Sequence, residues 1–155
     1  MLEQLLGGVY TKFKMNFYRK IFSRFETREA NLTAVETFCV EVIYALDAPT
    51  ANEFARFVSI SQSNATHKIQ SLIKKGYVTK SQSPSDKREY VLNVTDRFFR
   101  YYDLSSAYLL TVAQRIRETF SKEDLARLER YLDTIYNVLM PEIQLGHPPE
   151  LTRDI

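Results

Sequence analysis

The stretch from Ser61 to Lys75 (SQSNATHKIQSLIKK) contains three lysines and no acidic side chain. Placed on a helix at about 100° per residue, its polar and apolar residues separate cleanly. Ala65, Ile69, Leu72 and Ile73 fall together, while Ser63, Asn64, His67, Gln70 and Lys74 occupy the opposite side, with Thr66 and Lys68 at the margins. An ordinary solvated helix face mixes Glu with Lys. A face of amides, hydroxyls and cations without acids suits a partner that is both anionic and rich in hydrogen-bonding edges. Asn and Gln can bond adenine with two hydrogen bonds, Ser and Thr can bond bases or phosphates, and Lys binds guanine or phosphate. Further along, Lys87 and Arg88 stand at the tip of a predicted β-hairpin. Arginine at such a tip is drawn to the negative potential of a narrow minor groove. Double-stranded DNA is therefore the first expected partner.

These side chains need a scaffold, and the sequence punctuates one. Thr33-Ala-Val-Glu36 and Thr50-Ala-Asn-Glu53 are capping boxes, in which a threonine hydroxyl and a glutamate satisfy the free amides of a helix start. The first opens a helix whose expected core face is Val35, Phe38, Cys39, Val42, Ile43 and Leu46, and which ends before Pro49. The second opens a short helix to about Val58, burying Phe54, Ala55 and Val58. Ser61 caps the next helix and Gly76 stops it. Two short helices joined by three to four residues fit a helix-turn-helix, though the usual turn glycine is missing. Residues 77–81 and 90–94 then alternate as strands around the turn-forming Gln82–Asp86.

Long helices flank this unit. Residues 2–25 carry Leu2, Leu5, Leu6, Val9, Tyr10, Phe13, Phe17, Ile21, Phe22 and Phe25 at helical spacing, which reads first as a buried helix face and second, because one chain has limited core for so long a stripe, as a subunit interface. After Thr95 the helical period returns through Phe98, Tyr102, Ser105, Leu109, Val112, Ala113 and Ile116. Ser121 caps a last helix with Leu125, Leu128, Leu132, Ile135 and Leu139 expected on its core side and Pro141 at its end. The tail around Gly146-His147-Pro-Pro reads as a loose arm.

The 155 residues are 45% hydrophobic and 26% charged, which excludes disorder and a fibrous or disulfide-built fold. The net charge of +2 conceals an uneven distribution. Residues 56–100 hold nine Lys/Arg against Asp86, Glu89 and Asp96, so the remainder is net acidic even though the first helix is basic. A basic block inside a near-neutral chain is an electrostatic footprint for nucleic acid. Catalysis finds no support, because His67 and His147 are far apart and no metal-ligand spacing, phosphate-binding loop or nucleophile elbow appears. No cofactor or metal ion is expected. Nor is there a signal peptide or an apolar run long enough to span a membrane, so a cytoplasmic location is expected. The lone Cys39 lies in an apolar stripe and reads as a small core residue.

The order of elements resembles that of the MarR (multiple antibiotic resistance regulator) family of winged helix-turn-helix transcription factors. The likeness runs from about Leu32 to Leu139. Its most specific piece is Ser85-Asp-Lys-Arg-Glu-Tyr-Val-Leu-Asn-Val-Thr95, similar to that family's Asp-x-Arg wing with its following strand. Glu53-Phe-Ala-Arg-Phe-Val58 is similar to its Glu-Leu-Ala-x-x-Leu, and Ser63–Val78 resembles its recognition helix and exit turn. Val94 and Phe98 depart from the family pattern, which often has Leu and Gly there. The resemblance implies a mainly α fold with a small β wing, divided into an N-terminal dimerisation helix (1–30), a winged helix-turn-helix domain (31–96), C-terminal dimerisation helices (97–141) and a tail (142–155). It implies a homodimeric regulator, a repressor responsive to a small aromatic or lipophilic effector, bound to a pseudo-palindromic operator. Ser61, Gln62, Ser63, Asn64, Thr66, His67 and Lys68 fall on the family's DNA-contact stretch, and Arg88, beside Lys87, aligns with its minor-groove arginine. Two other readings use the same residues: a winged-helix module that binds protein without DNA, and a regulator triggered through the Cys39 thiol.

Overall fold

The computed structural model describes residues 1–26 and 32–146. Its elements are α1 (Leu2–Glu26), α2 (Ala34–Ala45), α3 (Ala51–Phe57), α4 (Gln62–Lys74), β1 (Val78–Gln82), β2 (Tyr90–Val94), α5 (Asp96–Thr119) and α6 (Lys122–Asn137). The fold is thus mainly helical with one small antiparallel sheet.

Both expected capping boxes close. The Glu36 N–H donates to Thr33 Oγ1 at 3.2 Å and the Thr33 N–H to Glu36 Oε2 at 2.7 Å. Thr50 and Glu53 repeat the exchange at the same two distances. Such a reciprocal pair satisfies two amides that a helix start leaves free. β1 and β2 pair with Val78 opposite Val94 and Gln82 opposite Tyr90. The Leu92 N–H donates to the Pro49 carbonyl at 2.9 Å, and Thr50 bridges Val91, so the chain entering α3 forms a short third rung of the wing.

The core lies between α2, α3, α4, the hairpin and the root of α5. Val40, Ile43, Phe54, Ala65, Ile69, Leu72, Val78, Leu92 and Phe98 fill it. The aromatic root of α5 closes one side: Phe98 and Tyr102 lie 5.2 and 4.9 Å from the Tyr44 ring, centroid to centroid.

Four expectations are corrected. The stripe of α1 is not a buried face: among its described side chains only Ile21 is buried, Phe13 and Phe17 are half-buried, and Leu2, Leu5, Leu6, Val9 and Tyr10 are exposed, because the core of one chain reaches only the C-terminal part of this helix. The buried face of α2 is Glu36, Thr37, Cys39, Val40, Ile43 and Tyr44, whereas Val35 and Phe38 are exposed. This helix is apolar around most of its circumference, so the packing of α4 and α5 selects the face and periodicity does not. No residue of α6 is buried, and Leu132 and Leu139 are more than half exposed. That helix ends at Asn137, ahead of Pro141. Its expected core side therefore has no core in a single chain. Finally, the tail as far as Gly146 is docked. The Gly146 N–H donates to the Ala45 carbonyl at 2.9 Å, and a Cβ on Gly146 would lie 2.7 Å from the Leu46 carbonyl oxygen. Glycine permits this approach beside Asp47 and Ala48, which both take positive φ (58° and 54°). His147, the side chains of Phe25 and Ser105, and the rest of the tail lie outside the described residues.

Candidate nucleic-acid interface

α4 is held from behind and bare in front. Ala65, Ile69 and Leu72 are fully buried, while Gln62, Ser63, Asn64, His67, Gln70 and Lys74 are exposed and Thr66 and Lys68 half-buried. That is the division expected from the 100° projection. Ser61 caps the helix, its hydroxyl accepting the Asn64 N–H at 3.2 Å. The turn before it solves the missing-glycine problem by another route. Ser59 takes the left-handed conformation, φ 56°, and the Ile60 N–H donates to the Ala55 carbonyl at 3.0 Å. A single non-glycine residue in that region costs on the order of 1 kcal/mol, which the buried Phe54 and Ala55 beside it can absorb.

The back of α4 is anchored by a residue the sequence presents only as a cap. Glu36 Oε1 accepts from Ser71 Oγ at 2.6 Å and from Lys75 Nζ at 2.9 Å, and its Oε2 accepts from Lys75 at 2.8 Å. Burial alone pushes this carboxyl up, but donation by Lys75, Ser71 and Thr33 more than offsets it and holds the group at about 2. One carboxylate thus caps α2 and clamps the end of α4. Lys75 belongs to this clamp and not to the outward basic face. Arg97 is committed as well, bonding the Lys75 carbonyl at 2.9 Å with its guanidinium 4.9 Å from the Tyr77 ring centroid. No local pattern links positions 36 and 75, so only the folded chain reveals the clamp.

The wing tip is built by backbone bonds. Ser83 is buried, its N–H donates to the Glu89 carbonyl at 2.9 Å, and its hydroxyl accepts the Ser85 and Asp86 N–H groups at 3.3 Å. Gln82 Nε2 donates to the Lys87 carbonyl at 2.6 Å, and Asp86 Oδ1 accepts the Arg88 N–H at 2.9 Å. Asp86 therefore shapes the turn through the Arg88 backbone. The Lys87 and Arg88 side chains are exposed and enter no ion pair among the described residues. Arg56, Lys74 and Lys80 of the basic block are exposed as well.

A second feature lies away from this face. An open cavity of about 490 Å³ sits between α1, α2 and α5, walled by Phe13, Phe17, Tyr18, Phe38, Tyr102 and Tyr108. Glu41 faces it. Among the described residues its Oε1 is shielded from solvent without a hydrogen-bond partner, and burial pushes the carboxyl up to about 7. A carboxyl raised on folding contributes stability that is complete below its unfolded value of 4.5 and lost as pH rises through about 7. Denaturant titrations of Glu41→Gln at pH 4.5 and pH 8 should therefore show the variant gaining about 3 kcal/mol on wild type across that interval. An unchanged difference between the two pH values would refute the orphan carboxyl. Cys39 is buried and its thiol is raised by that burial, so a thiol trigger lacks both access and thiolate.

Residues 32–90 match the model of the MarR family. The chain is similar in structure to the transcriptional regulator Tm0710 from Thermotoga maritima, with a TM-score of 0.62 at 20% identity, covering 91% of this chain and 95% of that one. It is similar to a MarR family protein from Bacillus stearothermophilus, with a TM-score of 0.63 at 16% identity over 89% and 92% of the two chains. Streptococcus pneumoniae FabT, solved in complex with DNA, aligns with a TM-score of 0.57 at 16% identity over 92% and 100%. No curated protein matches the chain in sequence. Among the described residues no helix is long and apolar enough to cross a membrane, and no cluster of potential metal ligands occurs.

Proposed function

We propose, from the premise that residues 32–90 match the model of the MarR family, that the protein is a transcriptional regulator that binds double-stranded DNA sequence-specifically. One observation carries the reading: an acid-free, outward face on α4, clamped from behind by Glu36, beside a wing whose tip cations enter no ion pair among the described residues. In this reading Ser63, Asn64, Thr66, His67 and Lys68 enter the major groove, with Ser61 and Gln62 at the helix start facing the backbone. Lys87 and Arg88 reach the adjacent minor groove.

A homodimer is the functional unit in this reading. Leu2, Leu5, Leu6 and Phe22 of α1 and Tyr131, Leu132 and Leu139 of α6 and its exit are exposed. So much large apolar surface on two long helices asks for a partner, and a second copy supplies the same surface by symmetry. The N-terminal helix (1–30) and residues 97–141 form the dimer base, residues 31–96 the DNA-binding unit. Two-fold symmetry then sets half-sites about 34–36 Å apart. The aromatic cavity is the place for a small lipophilic effector, which acts by binding one spacing of the two recognition helices better than the other, and so relieves repression.

Selection of bound sequences from a random DNA pool tests function, symmetry and spacing together. The expected product is an inverted repeat with that spacing, and a pool without enrichment would overturn the reading. Arg88→Ala should weaken binding across sequences and reduce the salt slope by about one unit per lost phosphate contact. Asn64→Ala and His67→Ala should instead change which base is preferred, by about 1–3 kcal/mol per lost two-bond contact. Equal loss on every sequence would remove these two from base reading.

A further inference from the structure

Resting on the assignment of the α1–α2–α5 cavity as an effector site, we propose that its ligand is an aromatic organic cation, with Glu41 as the counter-charge. Two independent features converge. The walls carry aromatic rings from three helices, among them Phe13, Phe17, Phe38, Tyr102 and Tyr108, and the face of such a ring attracts an ammonium group electrostatically as well as burying apolar surface. Among the described residues the one carboxyl on the lining is Glu41, and its Oε1 is shielded there without a hydrogen-bond donor. Leaving a carboxyl so placed is costly unless something compensates. An ammonium placed against it supplies donor and charge together.

The chain's own cation on the lining does not do this. Lys14 is also on the cavity wall, but its Nζ lies over the Tyr10 ring, 4.9 Å from the centroid, and Glu41 enters no ion pair among the described residues. Without a ligand the Glu41 carboxyl holds a proton near neutrality because it is buried. A cation displaces that proton. An anionic ligand, by contrast, faces either a like charge or a carboxyl that must stay protonated.

A matched set of probes separates charge from shape: 2-naphthylmethylammonium, 2-naphthylmethanol and 2-naphthoate, titrated at pH 7.5 into wild-type protein and Glu41→Gln. The chain has no tryptophan, so naphthalene emission reports binding directly. Wild type should bind the ammonium roughly tenfold more tightly than the alcohol, and the carboxylate least. Glu41→Gln should lose that preference while holding the alcohol as before, which also shows that the variant is folded. If the alcohol binds and the ammonium binds no better, or if the preference survives in Glu41→Gln, the cation assignment is overturned while the effector cavity stands. If none of the three binds, the effector cavity itself is overturned, and this inference with it.

Discussion

Phe98→Ala should destabilise the protein by about 3–5 kcal/mol, the range for removing a large aromatic side chain from a closed core. Phe98 is completely buried, with ring centroids of Tyr44, Phe99 and Tyr102 at 5.2, 5.2 and 5.3 Å. Those partners come from α2 and from α5 itself, so the cavity left behind cannot collapse by moving one loose side chain. For a chain of this length the thermal midpoint should fall by roughly 10 °C. Phe98→Leu, which retains most of the volume, should lose much less. The lesion also reaches function, because Thr95, three residues earlier, ties this root to the exit of α4: its hydroxyl donates to the Gly76 carbonyl at 2.7 Å. If Phe98→Ala melts within about 2–3 °C of wild type, the aromatic cluster is not the joint between α5 and the winged domain.

Glu36→Ala is expected to destabilise by about 3 kcal/mol, near the lower end for breaking a buried ion pair, because Lys75 retains some contact with solvent. The pH dependence gives an independent measure. Glu36 titrates normally at 4.5 and at about 2 in the fold, so its stabilisation is complete above 4.5 and disappears as pH falls towards 2. Wild type should therefore lose about 3 kcal/mol over that acid interval that Glu36→Ala does not lose. Glu36→Gln keeps the amide contacts at the α2 start but not the charge, and should fall between the two. DNA affinity should drop as well, because the clamp sets the pose of α4. An acid limb with the same slope in Glu36→Ala and wild type would disprove the clamp.

The two kinds of information in the chain differ in range. Helix starts are legible because Thr33/Glu36, Thr50/Glu53 and Ser61 act over three residues. The outward face of α4 is legible because its apolar residues repeat at helical spacing, and the hairpin because its turn residues cluster between alternating runs. What is not legible depends on contacts distant in sequence. Glu36 and Lys75 are 39 residues apart, and nothing local announces the pair. The buried face of α2 is chosen by α4 and α5, since Val35, Phe38, Val40 and Tyr44 are all apolar enough to be core. The orphan state of Glu41 exists only once α1 and α5 close over it. The docking of Gly146 needs the tail to return to the end of α2. The Asp86–Arg88 motif is half legible: the tip is evident, but not that the carboxylate is spent on a backbone amide and leaves the guanidinium available.

The absence of any buried residue in α6 has a genetic consequence. On the proposed pairing, the exposed apolar residues of α1 and α6 are covered only by another copy, and that surface contains none of the DNA-reading residues. An allele damaged only at the wing, such as Arg88→Ala, would still assemble with wild-type chains and draw them into dimers with one competent half. Expressed together in equal amounts, such chains leave about a quarter of the dimers fully intact if pairing is random. A wing mutation should therefore be dominant over wild type, whereas a core mutation such as Phe98→Ala, which lowers the amount of folded chain able to pair, should be recessive.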